Sequence, residues 1–155
     1  ADWSVEDLRD VLEVAIQGAP PEAVRVVEGR YLRKRVREQC AYAERYGEPF
    51  ALVVLKLAVE PAEGDYTRCL DALVERLRRS DMMAIYKRRL ALLLPRVHPT
   101  GVPALLARVR EAVDTTVGRS VIESAPVALF PDPQYPETQS MLDWLEDRLR
   151  PDDPS

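Results

Sequence analysis

The stretch that decides the fold is Arg78–Pro95, RRSDMMAIYKRRLALLLP. Met82 to Tyr86 reads as a short strand, Lys87-Arg88-Arg89 as a tight polar turn, and Leu90 to Leu94 as a second strand. Pro95 stops that second strand, because proline has no N–H to give to a ladder. Two apolar strands joined by a polar turn predict an antiparallel hairpin. Before it, Arg78 and Arg79 fall in the last turn of a helix, where cations suit the dipole, and Ser80-Asp81 form the turn into the first strand.

Outward from the hairpin the remaining elements can be read in order. Phe50 to Val59 is apolar throughout except for Lys56, the pattern of a central strand covered on both faces. Tyr66 to Arg78 carries Leu70, Leu73, Val74 and Leu77 at helical spacing, and Val102 to Val113 carries Leu105, Leu106 and Val109. Ser120 to Phe130 reads as a strand in which Pro126 marks an edge or a bulge. A last helix spans Thr138 to Leu149 with Met141, Leu142, Leu145 and Leu149 inward. On the N-terminal side, Glu22 to Tyr46 places Leu32, Val36, Cys40 and Ala43 on one face, with Gly29 as a break. Ser4 caps a first helix whose stripe is Val5, Leu8, Leu12, Ala15 and Ile16, ended by Gly18-Ala19-Pro20-Pro21. This order predicts an α/β sandwich with a mainly antiparallel sheet covered by helices. The expected division is a helix and linker over 1–21, one domain over 22–150 and a flexible tail over 151–155.

From about Arg30 to Leu149 this order resembles the GGDEF domain of diguanylate cyclases and its palm-like fold. In that family a helix ending in Arg-x-x-Asp leads into a strand, a Gly-Gly-Asp/Glu-Glu-Phe turn, and an apolar strand ending in proline. Tyr31–Tyr46 followed by Gly47-Glu48-Pro49 and Phe50–Leu55 resembles the family's first domain helix, its turn and its first buried strand. The resemblance implies that this strand should deliver a metal-binding aspartate. Lys56 stands at that position and Ala58 at the second, and the turn is Lys87, Arg88 and Arg89 rather than glycines and carboxylates. Val59 to Glu63 replaces the substrate segment, and Gly64-Asp65 is similar to the pair that opens the next helix. Divalent ions bridging triphosphate oxygens need carboxylate ligands, and close approach of a nucleotide needs turn residues without a Cβ. The expectation is therefore a chain without catalytic residues, metal or cofactor, and without cyclase activity.

Arg78 with Asp81 matches the family's inhibitory Arg-x-x-Asp, which implies a cyclic di-GMP site: a guanidinium fork grips guanine acceptors or phosphate while the carboxylate accepts from guanine N–H groups. The same four residues also read simply as the end of a helix and a turn. Two classes of function follow. One is an inactive signalling module acting through protein–protein interaction, as scaffold, localiser or regulator, with partners among signalling proteins, other domains of a longer chain, or a second copy. The other is a cyclic di-GMP receptor. A third, GTP held at the basic turn without turnover, is open on the same residues.

Composition narrows the field. In 155 residues, 46% are hydrophobic and 31% charged, values of a globular domain. A formal net charge of −4 argues against general nucleic-acid binding, and the Arg30, Arg33, Lys34, Arg35, Arg37 series reads as a solvated helix face. No run is apolar enough to span a bilayer and no secretory signal is evident. Cys40 and Cys69 lack C-x-x-C spacing and fall on apolar helix faces, so buried thiols in a reducing cytoplasm are expected. His98 has no second histidine to work with and reads as a loop residue. Trp144 is read as partly buried, and the acidic Asp143, Glu146 and Asp147 as an exposed helix face.

Overall fold

The computed structural model describes residues 26–150. The expected first helix and the tail at 151–155 lie outside the described residues. In chain order the elements are α1 (Gly29–Tyr46), β1 (Phe50–Leu57), α2 (Gly64–Arg76), β2 (Met82–Tyr86), β3 (Arg89–Pro95), a 3-10 turn at Pro99–Gly101, α3 (Val102–Val117), β4 (Ile122–Ser124), β5 (Val127–Phe130) and α4 (Thr138–Leu149). The strands run β2-β3-β1, and the second edge of β1 is shared by β4 and β5. Every pairing between these strands is antiparallel. The predicted α/β sandwich is thus the observed one.

β1 occupies the middle because it is apolar on both faces, and its alternate residues feed two cores. Ala51, Val53, Leu55 and Leu57 pack with Leu90, Leu92 and Leu94 of β3 under α2 and α3, through Cys69, Leu73, Val109 and Val113. Phe50, Leu52 and Val54 pack with Ala91, Leu93 and Phe130 under α1 and α4, through Leu32, Val36, Cys40, Met141 and Leu145. The strand period of two sends successive side chains to opposite layers, so one continuous apolar strand serves both. Cys40 and Cys69 are free thiols and fully buried. Trp144 is more deeply buried than expected, 7% exposed, edge-on to Tyr135 with ring centroids 6.4 Å apart.

Several boundaries differ from the sequence reading. The helix expected from Glu22 starts at Gly29. Val26 instead forms a parallel bridge with Met83, and the Val27 N–H donates to the Met83 carbonyl at 2.9 Å. Gly29 lies against the Tyr86 ring so closely that a Cβ there would overlap the phenol, which accounts for glycine at that place. α2 ends at Arg76 with Leu77 already extended, so Arg78 and Arg79 belong to the following turn and the dipole argument passes to Arg76. The strand expected over Ser120–Phe130 is two strands, parted at Ala125-Pro126, where the Pro126 carbonyl accepts from Val54 N–H at 3.1 Å. α3 runs on to Val117 and is closed by Gly118 at φ 88°.

Candidate functional site

The hairpin turn and the end of β1 make one cluster. Tyr86 pairs with Arg89 across the hairpin, so the loop is Lys87-Arg88 alone and Arg89 belongs to β3. A two-residue loop demands an unusual backbone, and Lys87 adopts φ 56°, a conformation in which glycine is preferred. The loop is fastened to its surroundings. Tyr66 at the start of α2 donates its hydroxyl to the Lys87 carbonyl, and the Leu57 N–H donates to the Arg88 carbonyl at 2.7 Å. Burial pushes the Tyr66 phenol up to about 12, so it is a donor throughout the neutral range.

Arg88 folds back over the end of β1. Its Nε donates to the Leu57 carbonyl at 2.9 Å, Nη2 reaches Glu123 Oε1 at 3.2 Å and Nη1 reaches Glu60 Oε1 at 3.5 Å. Lys56 Nζ lies 3.4 Å from the other oxygen of Glu123. Lys56 also stands directly opposite Arg89 in the β1–β3 register, a like-charge placement that Glu123 offsets. Glu123 arrives by a β-bulge: Lys56 pairs with Ser124 and Leu57 with Ile122, which leaves Glu123 as the extra residue. A bulge re-aims its side chain, here toward two cations. Ala58 follows β1 on the surface and donates its N–H to the Val121 carbonyl at 2.7 Å.

The donor set does not suit a divalent cation. Of the two positions at which the resemblance called for carboxylates, one is an ammonium and one a methyl group, and Glu123 is already engaged by Lys56 and Arg88. Among the described residues no three histidine, cysteine, aspartate or glutamate side chains come together as ligands.

Arg78 and Asp81 lie at the opposite end of the hairpin and are joined to each other. Asp81 is 2% exposed. It accepts from the Arg78 N–H at 2.7 Å, from Arg78 Nη2 at 2.9 Å and from Nε at 3.1 Å, while the Asp81 N–H donates to the Arg78 carbonyl at 3.0 Å. Arg78 Nη2 also donates to the Pro95 carbonyl at 2.6 Å, tying this corner to the end of β3. The pair closes the turn, and the outer part of the Arg78 side chain stays half exposed. His98 is a loop residue as expected: its Nδ1 accepts from the Thr100 N–H at 3.3 Å and caps the 3-10 turn.

The turn cations and Arg78–Asp81 were legible in the sequence, whereas Glu60, Glu123 and Tyr66 were not. The available signal for Glu123 was its being the one charge in Val121–Phe130, as Lys56 is the one charge in β1.

No protein-family model matches the sequence, and no curated protein matches it either. Solved structures do match. A DGC protein from Thermotoga maritima aligns at TM-score 0.66 and 19% identity over 81% of this chain and 97% of that one. The coiled coil and GGDEF domain of DgcB from Caulobacter crescentus, in complex with c-di-GMP, aligns at 0.64 and 19% over 94% and 86%. The described residues share the fold of these GGDEF-domain structures. Diguanylate cyclase SiaD from Pseudomonas aeruginosa, in complex with its activator SiaC, aligns with this chain at 0.58 and 20%, over 93% of this chain and 62% of that one. At such identities the likeness is one of fold. No described helix is long and apolar enough to cross a membrane.

Proposed function

We propose that this chain is a catalytically inactive GGDEF-like signalling module that acts through protein–protein interaction, as a scaffold, localiser or regulator. The observation that carries the reading is the cluster at the end of β1, where Lys56 and Arg88 are held by Glu123 and Glu60. Joining two GTP molecules requires metal ions on the triphosphates and the attacking hydroxyl. In this site the cations are the protein's own and the carboxylates are occupied in holding them. The closed, two-residue Lys87-Arg88 loop adds side chains where a nucleotide would need bare backbone. A signalling partner, another domain of the same longer chain or a second copy are the partners this reading entails, in the cytoplasm of a bacterium. The solved complex of SiaD with its activator SiaC is a precedent for the fold engaging a protein. The test is incubation of the purified protein with GTP and magnesium or manganese. The expected result is no cyclic di-GMP; product forming in proportion to protein concentration refutes it.

A second reading is a receptor that binds cyclic di-GMP through Arg78 and Asp81. It is favoured by the half-exposed Arg78 side chain and opposed by Asp81 being buried and saturated by Arg78. Ligand would have to draw the guanidinium away from both Asp81 and the Pro95 carbonyl. Calorimetric titration of cyclic di-GMP decides: saturable heats lost in Arg78→Ala support the receptor, and flat heats at high protein concentration remove it.

A further inference from the structure

Positive charge is gathered on α1. The helix holds six cations against Glu38 and Glu44, a net of +4 in a chain whose net charge is −4. Two of the six are committed, Arg33 to Glu146 at 2.6 Å and Arg35 to Glu38 at 2.8 Å. The other four are Arg30, Lys34, Arg37 and Arg45, which with Ala41 recur every three or four residues and so form one row. That row lies opposite the buried stripe of Leu32, Val36, Cys40 and Ala43 and is exposed along its whole length. Lys34 and Arg37 make no hydrogen bond or ion pair with another described residue. Arg30, its side chain 89% exposed, has Glu28 at 3.7 Å, and Arg45 lies over the Tyr46 ring, a contact that uses none of its N–H donors.

Left alone, this arrangement works against the helix. Arg30 with Lys34 and Lys34 with Arg37 are like charges one turn apart. Arg30 also stands in a first turn that has no acid and no side-chain cap, against the positive end of the dipole. Carboxylates laid along the row relieve all three conflicts at once, and guanidinium forks suit carboxylates in bidentate fashion. One edge of the row is aromatic: Tyr31 and Tyr42 are each 45% exposed and Tyr46 58%, and the rings of Tyr42 and Tyr46 lean together with centroids 4.6 Å apart. Tyrosine beside arginine is the composition of a protein interface, apolar area with a polar handle. The exposed Glu44 on the other edge separates two kinds of anionic occupant. A uniformly anionic lipid surface meets it with repulsion, whereas a polypeptide can set a neutral or basic residue opposite it.

We propose, building on the interaction-module reading, that this face of α1 docks an acidic polypeptide segment of the signalling partner. Arg30, Lys34, Arg37 and Arg45 pair with its carboxylates, and Tyr31, Tyr42 and Tyr46 with its apolar side chains. The probe is a random copolymer of glutamate and tyrosine, titrated into the isotope-labelled full chain with amide shifts as the readout. The expected result is saturable shifts at Tyr31, Lys34, Arg37, Ala41 and Arg45 that weaken as salt rises, with Val109 and Val113 of α3 unmoved. Lys34→Glu with Arg37→Glu, both exposed, should weaken binding at least about tenfold, and the same reversal on the opposite layer, Arg76→Glu with Arg108→Glu, less than about twofold. Flat shifts on α1, or binding that survives the Lys34 and Arg37 reversal, overturn the proposal. So does binding to vesicles of phosphatidylcholine and phosphatidylserine in place of the copolymer, since the occupant is then a lipid surface. Self-association lost on the same reversal overturns it too, since the occupant is then a second copy. A flat copolymer titration with no product from GTP removes this surface alone, whereas cyclic di-GMP formed from GTP removes the inactive module on which it rests.

Discussion

Replacing Arg88 by alanine tests whether the turn is held by its own side chain. Arg88→Ala removes the Nε bond to the Leu57 carbonyl and the pairs with Glu123 and Glu60. A hydrogen bond from a charged donor contributes about 1.5–3 kcal/mol when buried. Arg88 is one-third exposed, so the lower end applies, about 1.5 kcal/mol. The two ion pairs involve carboxylates 40% and 60% exposed, and solvent screening limits each to roughly 0.3 kcal/mol. The sum is a loss of about 2 kcal/mol, or a fall in Tm of roughly 4–8 °C for a chain of this size. Urea unfolding followed by tryptophan fluorescence measures it, with an unchanged slope as the sign that the denatured state is not involved. Arg88→Lys keeps a positive charge but has no Nε donor in the fork, so it should recover less than about half of the loss. Raising salt should erode only the ion-pair share. If Arg88→Ala unfolds within about 0.5 kcal/mol of the parent, the turn is held by backbone alone and the reasoning fails.

Three further outcomes follow from the same geometry. Gly29→Ala forces the Tyr86 phenol to move and should cost about 1–3 kcal/mol in urea unfolding; no change would show that Tyr86 yields freely. Asp81→Ala exposes the Arg78 N–H and strands its guanidinium beside the Pro95 carbonyl, a loss of about 2–4 kcal/mol, whereas Arg30→Ala on exposed α1 should be silent. The Cys40 thiol is pushed up to about 11 by burial, opposed by a bond with Thr138 and reinforced by Glu44. Its folded pKa lies above its unfolded one, so the stabilisation is complete below pH 9 and is lost as pH rises toward 11, about 3 kcal/mol in all. Cys40→Ala should flatten that part of the alkaline unfolding curve, and an unaltered curve would assign the loss elsewhere.

What was legible in the sequence is what depends on one element at a time. Met82–Tyr86 and Thr138–Leu149 are found at the expected boundaries because each is an uninterrupted pattern flanked by residues that end it. The two-sided burial of β1 was visible in its unbroken apolar run. Failures occur where a second element decides. Gly29 as a helix start depends on Tyr86 lying above it, and the exit of Arg78 from α2 depends on Asp81 and the Pro95 carbonyl capturing its backbone and side chain. Glu123 was illegible for the same reason, since its bulge exists only in the register of β4 against β1.

That register also explains why the cations at the turn behave as a unit. Lys56 alone at the end of a buried strand would face Arg89 across the ladder, and Arg88 alone would have one carbonyl and a distant Glu60. Glu123 makes both tolerable by offering an oxygen to each. Introducing a carboxylate by Lys56→Asp in the parent should therefore not create a metal site: it places a second acid beside Glu123 while Arg88 still fills the space. Only the combined Lys56→Asp and Arg88→Gly removes both occupants, leaving the introduced carboxylate with Glu60 and Glu123 around the end of β1 and relieving the loop of one bulky residue. Magnesium or manganese should raise the Tm of the double variant and leave those of the parent and of Lys56→Asp unchanged. Equal response of the parent would mean that its carboxylates are accessible to metal in spite of Lys56 and Arg88, and the case for an inactive site would fall with it.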